Sequence, residues 1–479
     1  MGSVSTRKIE PRKSHTVKPI FCSDGGQSGG LVENWQELAI EKLGEEVRSN
    51  RALRVFLDSC VKCGACTDKC HYFLGDGDPL NMPVARQDLI RGVYRRYFTA
   101  AGKFFPKFVG ALDLTESLLE DWSTYYYQCS ECRRCSVYCP FGIDTAEITM
   151  VGRSILDAVG MRQNYIHTVL DNVNRVGNNL GMIGAAIADT LEGLEEDVLE
   201  ETGVNVRFPL DDPDADVLLL VPSADLFAEP HVDGLIGCAK IFHQQGIRWT
   251  LSTEASEAAN FALFIGDDEQ MQQMTRRVRE TTLKLGVKQV VVGECGHAWR
   301  VASSYWPDMF GDERAPGFET LHICEFTYDL LSKNRLQLDR SVHNNKVITF
   351  HDSCNVARGS RMGEHPRDIY RIPRTLLQAA CENFVDMAPD TICEHTFCCG
   401  GGGGLLTDEL MEVRVSGASP RVSALEDVIA NRGVTHMAAI CAICKSQFRS
   451  VLPKYGLDMN MIVSLHQIVG DAVVLTSDT

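Results

Sequence analysis

The chain has 479 residues, 44% hydrophobic and 23% charged, enough for two to four compact units with sizeable cores and with no sign of wholesale disorder. Its 64 acidic residues against 47 basic ones leave a formal charge of −17, which argues against a nucleic-acid partner, whose binding needs a basic face. The longest apolar runs, such as MIGAAIA (182–188) and ADVLLLVP (215–222), fall far short of the ~20 residues of a bilayer crossing, so no transmembrane helix of its own is expected.

Residues 1–50 read as a polar N-terminal extension. MGSVSTRKIEPRKSHTVKP has basic residues but no apolar core behind them, unlike a secretory signal. CSDGGQSGG (22–30) reads as a loop, and ENWQELAIEKLGEEVRSN as a helix leading into the first cysteine group. Over 51–150, apolar positions in PVARQDLIRGVYRRYFTAA and LTESLLEDWSTYYYQC recur at helical spacing, so this domain is expected to be mostly helical. Residues 151–212 continue as a helical linker and end in the acidic, Pro-containing RFPLDDPDAD. From 213 the texture changes. VLLLV, FALFIG and KQVVVG alternate with helical stretches, as expected of βα units around a parallel sheet. The pattern then recurs: KVITFHDSC (346–354) resembles DVLLLVPSA (216–224), and THMAAICAIC (435–444) resembles KQVVVGECGHA (288–298). The expected fold is therefore α/β with a helical, ferredoxin-like N-terminal domain, its α/β part duplicated as 213–345 and 346–479 about a pseudo-twofold axis.

Nineteen cysteines are present, and thirteen of them cluster, which without a signal peptide reads as metal ligation in a reducing cytoplasm. CVKCGACTDKC places Cys60, Cys63, Cys66 and Cys70 at C-x2-C-x2-C-x3-C spacing, and CSECRRCSVYCP repeats it with Cys129, Cys132, Cys135 and Cys139. In such runs the first three thiolates hold one cubane [4Fe-4S] cluster and the fourth ligates the other. One cluster is thus assigned Cys60, Cys63, Cys66 and Cys139, the other Cys129, Cys132, Cys135 and Cys70. Structural zinc favours paired C-x2-C knuckles instead. The 58 residues between the runs make this a helical relative of a minimal ferredoxin. A third group comprises Cys354, the adjacent pair Cys398 and Cys399, then Cys441 and Cys444. A vicinal disulfide is strained; two neighbouring thiolates more readily hold different irons of an open cluster. Gly400 and Gly401, the first two of five glycines, would let the main chain approach that cluster.

HDSC…CCG…CAIC resembles the cysteine-rich CCG domain of the heterodisulfide reductase family, and the two upstream runs in the same chain resemble its fused D-type chain. The resemblance implies that Cys354, Cys398, Cys399, Cys441 and Cys444 bind one non-cubane [4Fe-4S] cluster that cleaves disulfides. In the first α/β half, Ala224 stands where Cys354 does, TEASEAANF lacks the cysteine pair, and Cys295 keeps a place from which Ala298 has lost its partner. One degenerate and one intact repeat is similar to the DsrK branch of the family. That branch implies a quinone-linked, haem-bearing integral membrane subunit and other DsrMKJOP-type subunits as partners, a small DsrC-like protein disulfide or trisulfide as substrate, and a peripheral place on the cytoplasmic face of the inner membrane. The alternatives are a reductase of a small thiol heterodisulfide and an electron relay without its own substrate. Duplicated halves that face each other would turn Cys295 and His297 toward the non-cubane cluster. His297 and His351 are then either proton donors to a leaving thiolate or structural histidines, and Cys295 an extra ligand, a redox partner or a buried thiol.

Overall fold

The computed structural model describes residues 30–258, 260–309 and 317–476; Cys22 and most of the N-terminal extension lie outside the described residues. The chain is a mixed α/β protein with parallel sheets and divides into two compact units. Within the described residues, the first unit holds the chain up to Asn164 together with Phe264–Gly266 and Phe397–Arg421. The second holds Tyr165–Leu263, Asp267–Thr396 and the chain from Val422 onward.

The first unit is helical. Trp35–Ser49 is the expected helix leading into the first cysteine group, and Asn50 caps the next helix, Arg51–Ser59, by accepting from the Leu53 N–H. Pro83–Phe98 begins with proline at its first position, where no intrahelical N–H is needed. Asp144 caps Thr145–Ala158 through the Ala146 and Glu147 amides.

The second unit carries two sheets. Strands β1 (Val217–Leu220), β2 (Trp249–Thr250), β3 (Gln289–Val292) and β4 (Glu319–His322) form a parallel sheet in the order β2-β1-β3-β4. Strands β5 (Ile348–His351), β6 (His436–Ala439) and β7 (Ile462–Ser464) form a second parallel sheet in chain order. β1 and β5 are buried along their whole length, as strands covered on both faces must be. Helix Asp268–Leu285 lies between β2 and β3 in the chain and is stopped by Gly286 in the left-handed region.

One strand expectation fails. FALFIG is not a strand: Asn260–Leu263 is a short helix, and Phe264–Gly266 leaves the second unit for the first. There the Phe264 carbonyl accepts from Arg153 Nη1 at 3.0 Å instead of joining a ladder. β2 and β4 complete the sheet of β1 and β3 without it.

Candidate functional site

The eight cysteines of the two ferredoxin-type runs lie in the first unit, on loops with one backbone pattern. In CVKCGAC the residues flanking the second cysteine, Lys62 (φ 57°) and Gly64 (φ 79°), are left-handed; in CSECRRC the same places are Glu131 (φ 55°) and Arg133 (φ 60°). Left-handed backbone costs a non-glycine residue of order 1 kcal/mol or more, so its recurrence at matching positions points to a shared demand. Such turns present amide N–H groups around a concavity that receives anions, including cluster sulfur.

Cys60, Cys63, Cys66 and Cys139 line one hollow, which Cys135 also reaches. Burial pushes the Cys66 thiol up to about 11, and the charges of Cys139 and Cys60 add to the rise. Burial likewise pushes Cys135 up to about 12, with Cys70 and Cys129 adding. Thiols crowded in this way ionise together only around a cationic core, and the residues present fit iron-sulfur centres. Among the described residues, no three Cys, His, Asp or Glu side chains gather as the ligands of a single ion. Burial opposes ionisation of Cys70 as well, but Arg86 and His71 outweigh it and lower that thiol. Buried Arg86 donates to Cys70 Sγ at 3.5 Å, to Asn81 Oδ1 at 2.7 Å and to the Gln128 carbonyl at 2.8 Å.

The segment carrying Cys398 and Cys399 is packed into this same unit. Its anchors include the two residues after Cys70. His71 Nδ1 donates to the Gly417 carbonyl at 2.8 Å while Nε2 pairs with Ser130 Oγ at 2.8 Å. Burial disfavours a charged His71, yet the charge and hydrogen bond of Cys398, with Cys70, raise it above the ordinary histidine value. The Tyr72 hydroxyl donates to the Gly400 carbonyl at 2.9 Å. Arg153, paired with Glu131 at 3.0 Å, donates to the carbonyls of both Cys129 and Gly403, at 2.7 and 2.6 Å. Gly400 has φ 91°, and a Cβ there would lie 2.7 Å from the Arg414 carbonyl oxygen; Gly403 has φ 67° and would crowd the Ser130 backbone at 3.0 Å. These two glycines are thus required by backbone shape and by close packing on their own unit.

The remaining residues lie in the second unit, after the carboxyl ends of strands, where open parallel sheets collect their functional groups. Glu294 and Cys295 follow β3, Cys354 follows β5, Cys441 follows β6 with Cys444 in the first turn of the next helix, and His466 follows β7. Cys295 and Cys441 each occupy the residue before a helix. Their side chains hydrogen-bond to one another. Hydrogen bonds from Cys295 and Cys444 hold the Cys441 thiol well below its ordinary value, against burial and with help from His297. The bond to Cys441 and burial raise Cys295 correspondingly.

The orientation of His297 follows from its neighbours. Arg300 only donates, so Asn355 Oδ1, 3.1 Å from Arg300 Nη1, accepts. The Asn355 amide NH₂ therefore faces His297 Nε2 at 2.9 Å and Cys354 Sγ at 3.6 Å. His297 Nε2 accepts, Nδ1 carries the proton, and Nδ1–H points at Cys441 Sγ, 3.8 Å away. His351 is fully buried at the end of β5 with its ring edge-on to Phe448.

A buried polar cluster braces these strand ends. Glu294 accepts from Lys445 Nζ at 3.0 Å and from the His466 backbone N–H at 2.8 Å, and His466 Nδ1 lies 2.8 Å from the same carboxylate. Burial would raise the Glu294 carboxyl, but Lys445 and His466 hold it far below the usual range. Asp225, behind β1, is pushed up to about 8 by burial, with Lys445 opposing. Asn355, Arg300, Glu294, Lys445, His466, His71 and Arg86 carry no sequence signal of this kind. Only a position beside one of the cysteines singled out in the sequence could have drawn attention to Asn355, Glu294, Lys445 and His71.

Residues 56–143 match the family of 4Fe-4S dicluster domains. The chain is 38% identical, over 93% of its length and 85% of the relative's, to the Hdr-like menaquinol oxidoreductase iron-sulfur subunit of Archaeoglobus profundus. Its identity to iron-sulfur subunit 2 of the Archaeoglobus fulgidus oxidoreductase is also 38%, with the same coverage. To the D-type chain of the dihydromethanophenazine:CoB–CoM heterodisulfide reductase of Methanosarcina mazei it is 23% identical over 88% of this chain and 94% of that one. With the two cysteine loops and the strand-end thiols, this near full-length likeness establishes that the chain belongs to the heterodisulfide reductase family of iron-sulfur oxidoreductase subunits, on the branch of its D-type chains.

Proposed function

We propose that this chain is the catalytic iron-sulfur subunit of a membrane-associated complex that exchanges electrons between a quinone-linked, haem-bearing membrane subunit and a protein disulfide or trisulfide of the DsrC type. In this reading residues 51–150 hold two cubane clusters on the assigned cysteines. Residues 213–345 and 346–479 are duplicated halves, the first degenerate. Cys354, Cys398, Cys399, Cys441 and Cys444 together hold the third, non-cubane cluster, with Gly400 and Gly401 beside it. The complex lies at the cytoplasmic face of the inner membrane. When bound, the clusters supply one-electron transfer.

The observation that carries the disulfide chemistry is the orientation of His297. Reducing one S–S bond takes two electrons and two protons and yields two thiols. Arg300 fixes the Asn355 amide, Asn355 fixes the His297 tautomer, and Nδ1–H is held toward Cys441 Sγ. His297 thereby keeps a proton where a leaving thiolate needs one, while a hydrogen bond from Cys295 favours the thiolate form of Cys441. An electron relay has no use for a proton so placed. His351, in aromatic contact with Phe448, is the weaker candidate donor.

Cys399→Ser tests the reading when reduction of a small dye is compared with reduction of a DsrC-like protein disulfide and of a small thiol heterodisulfide. Disulfide turnover is expected to fall about 100-fold, equivalent to about 2.7 kcal/mol of lost transition-state stabilisation, with dye reduction kept. Equal loss of dye and disulfide activity would contradict a dedicated substrate site.

A further inference from the structure

The connection between the two cysteine runs carries an exposed apolar surface that the proposed chemistry does not use. Phe104, Phe105 and Phe108 are 77%, 62% and 92% exposed. They sit on and between two short helices, Ala100–Phe104 and Pro106–Val109. This segment is braced. The Gly102 N–H donates to Thr99 Oγ1 at 3.0 Å, Arg95 Nη1 donates to the Val109 carbonyl at 2.7 Å, and a Cβ on Gly102 would fall 1.8 Å from the Arg95 carbonyl oxygen. The phenylalanines are therefore displayed by a firm support. Three large apolar side chains presented within five residues mark an interaction surface.

The neighbourhood says what kind. Lys62 lines a cleft of about 550 Å³ with Phe108 and Val109, and it also lines the hollow of Cys60, Cys63, Cys66 and Cys139. Cys63 is the exposed thiol of that set, and its rim includes Val61 and Phe141, 64% and 50% exposed. The phenylalanine surface thus adjoins the place where the first cysteine set reaches solvent. Lys103 and Lys107 flank the phenylalanines, and among the described residues neither is in an ion pair, in a chain of net charge −17.

We propose that Phe104, Phe105 and Phe108, linked through the Phe108 cleft and Lys62 to the hollow of the Cys63 loop, form the docking face for a redox protein whose contact surface is apolar with carboxylates at its edge. The proposal rests on the iron-sulfur reading and names where the electron partner sits. The partner's reduced centre would be the one-electron donor, and Cys60, Cys63, Cys66 and Cys139 would hold the acceptor, so that no bond need form or break. A lipid surface fits the phenylalanines and lysines alone, but lipid has no electron to give, so the adjoining Cys63 edge favours a redox protein.

The test uses washed native membranes containing the whole complex. A zero-length carbodiimide is expected to join Lys103 or Lys107 to a carboxylate of a haem- or flavin-bearing protein, mapped by mass spectrometry. The variant F104S/F105S/F108S is expected to slow cluster reduction by added menaquinol about tenfold, equivalent to about 1.4 kcal/mol, with reduction by dithionite unchanged. Should that variant fail to fold, K103E/K107E serves the same comparison. Lysines that remain unlinked, or that link only to a protein without a redox cofactor, together with an unchanged rate would overturn the proposal. Menaquinol that reduces no cluster in the unaltered complex would overturn the quinone-linked reading instead, and the cross-link would still decide the docking face.

Discussion

At the scale of single residues, the proposed chemistry turns on Asn355, which contacts three groups at once. Its amide receives direction from Arg300 and passes it to His297 and to Cys354 Sγ. Asn355→Asp keeps the shape and reverses the logic. In the neutral imidazole a carboxylate accepts from His297 Nε2–H, and Nδ1 is then an acceptor facing Cys441. Disulfide turnover is expected to fall about 10- to 100-fold with iron content unchanged, the usual cost of altering the group that orients a metal-site side chain. Full turnover in that variant, measured beside its iron content, would remove His297 from the account.

At the scale of elements, the strand ends of the second unit are held by buried charge, and this makes stability depend on pH. Asp225 is buried behind β1, its carboxyl pushed up to about 8 by burial, and its Oδ1 has no hydrogen-bond partner among the described residues. A carboxyl raised in this way contributes stability that is fully present below its unfolded value and is lost as pH rises through about 8. Asp225→Asn is therefore expected to flatten the decline in melting temperature between pH 5 and pH 8, by roughly 5 °C or more at the upper end. Melting temperatures that fall in parallel for both proteins across that range would contradict it. The elements also explain what can be read in advance. The cysteine runs are legible because cluster ligation is written in spacings of a few residues, and the βα texture because β1, β3, β5 and β6 are compact apolar runs. β2 and β7, at two and three residues, are too short to show a pattern. FALFIG resembles a strand because apolarity alone does not say that Arg153, far away in sequence, takes its carbonyl. Lys445 and His466 find Glu294 across 151 and 172 residues, a pairing that no local motif encodes.

At the scale of the molecule, the division of the chain into units is the feature least visible in the sequence. Phe397–Arg421, with Cys398, Cys399 and the glycines, is packed with the first unit, held by His71, Tyr72 and Arg153. Cys354, Cys441 and Cys444 belong to the second. The central proposal is a third, non-cubane centre. The most direct test is the iron content of the full chain after anaerobic reconstitution, measured for the unaltered protein and for C398S/C399S. Three four-iron clusters predict about twelve irons per chain, falling to about eight in the variant. About eight irons in both proteins, or zinc in place of iron, would contradict the account.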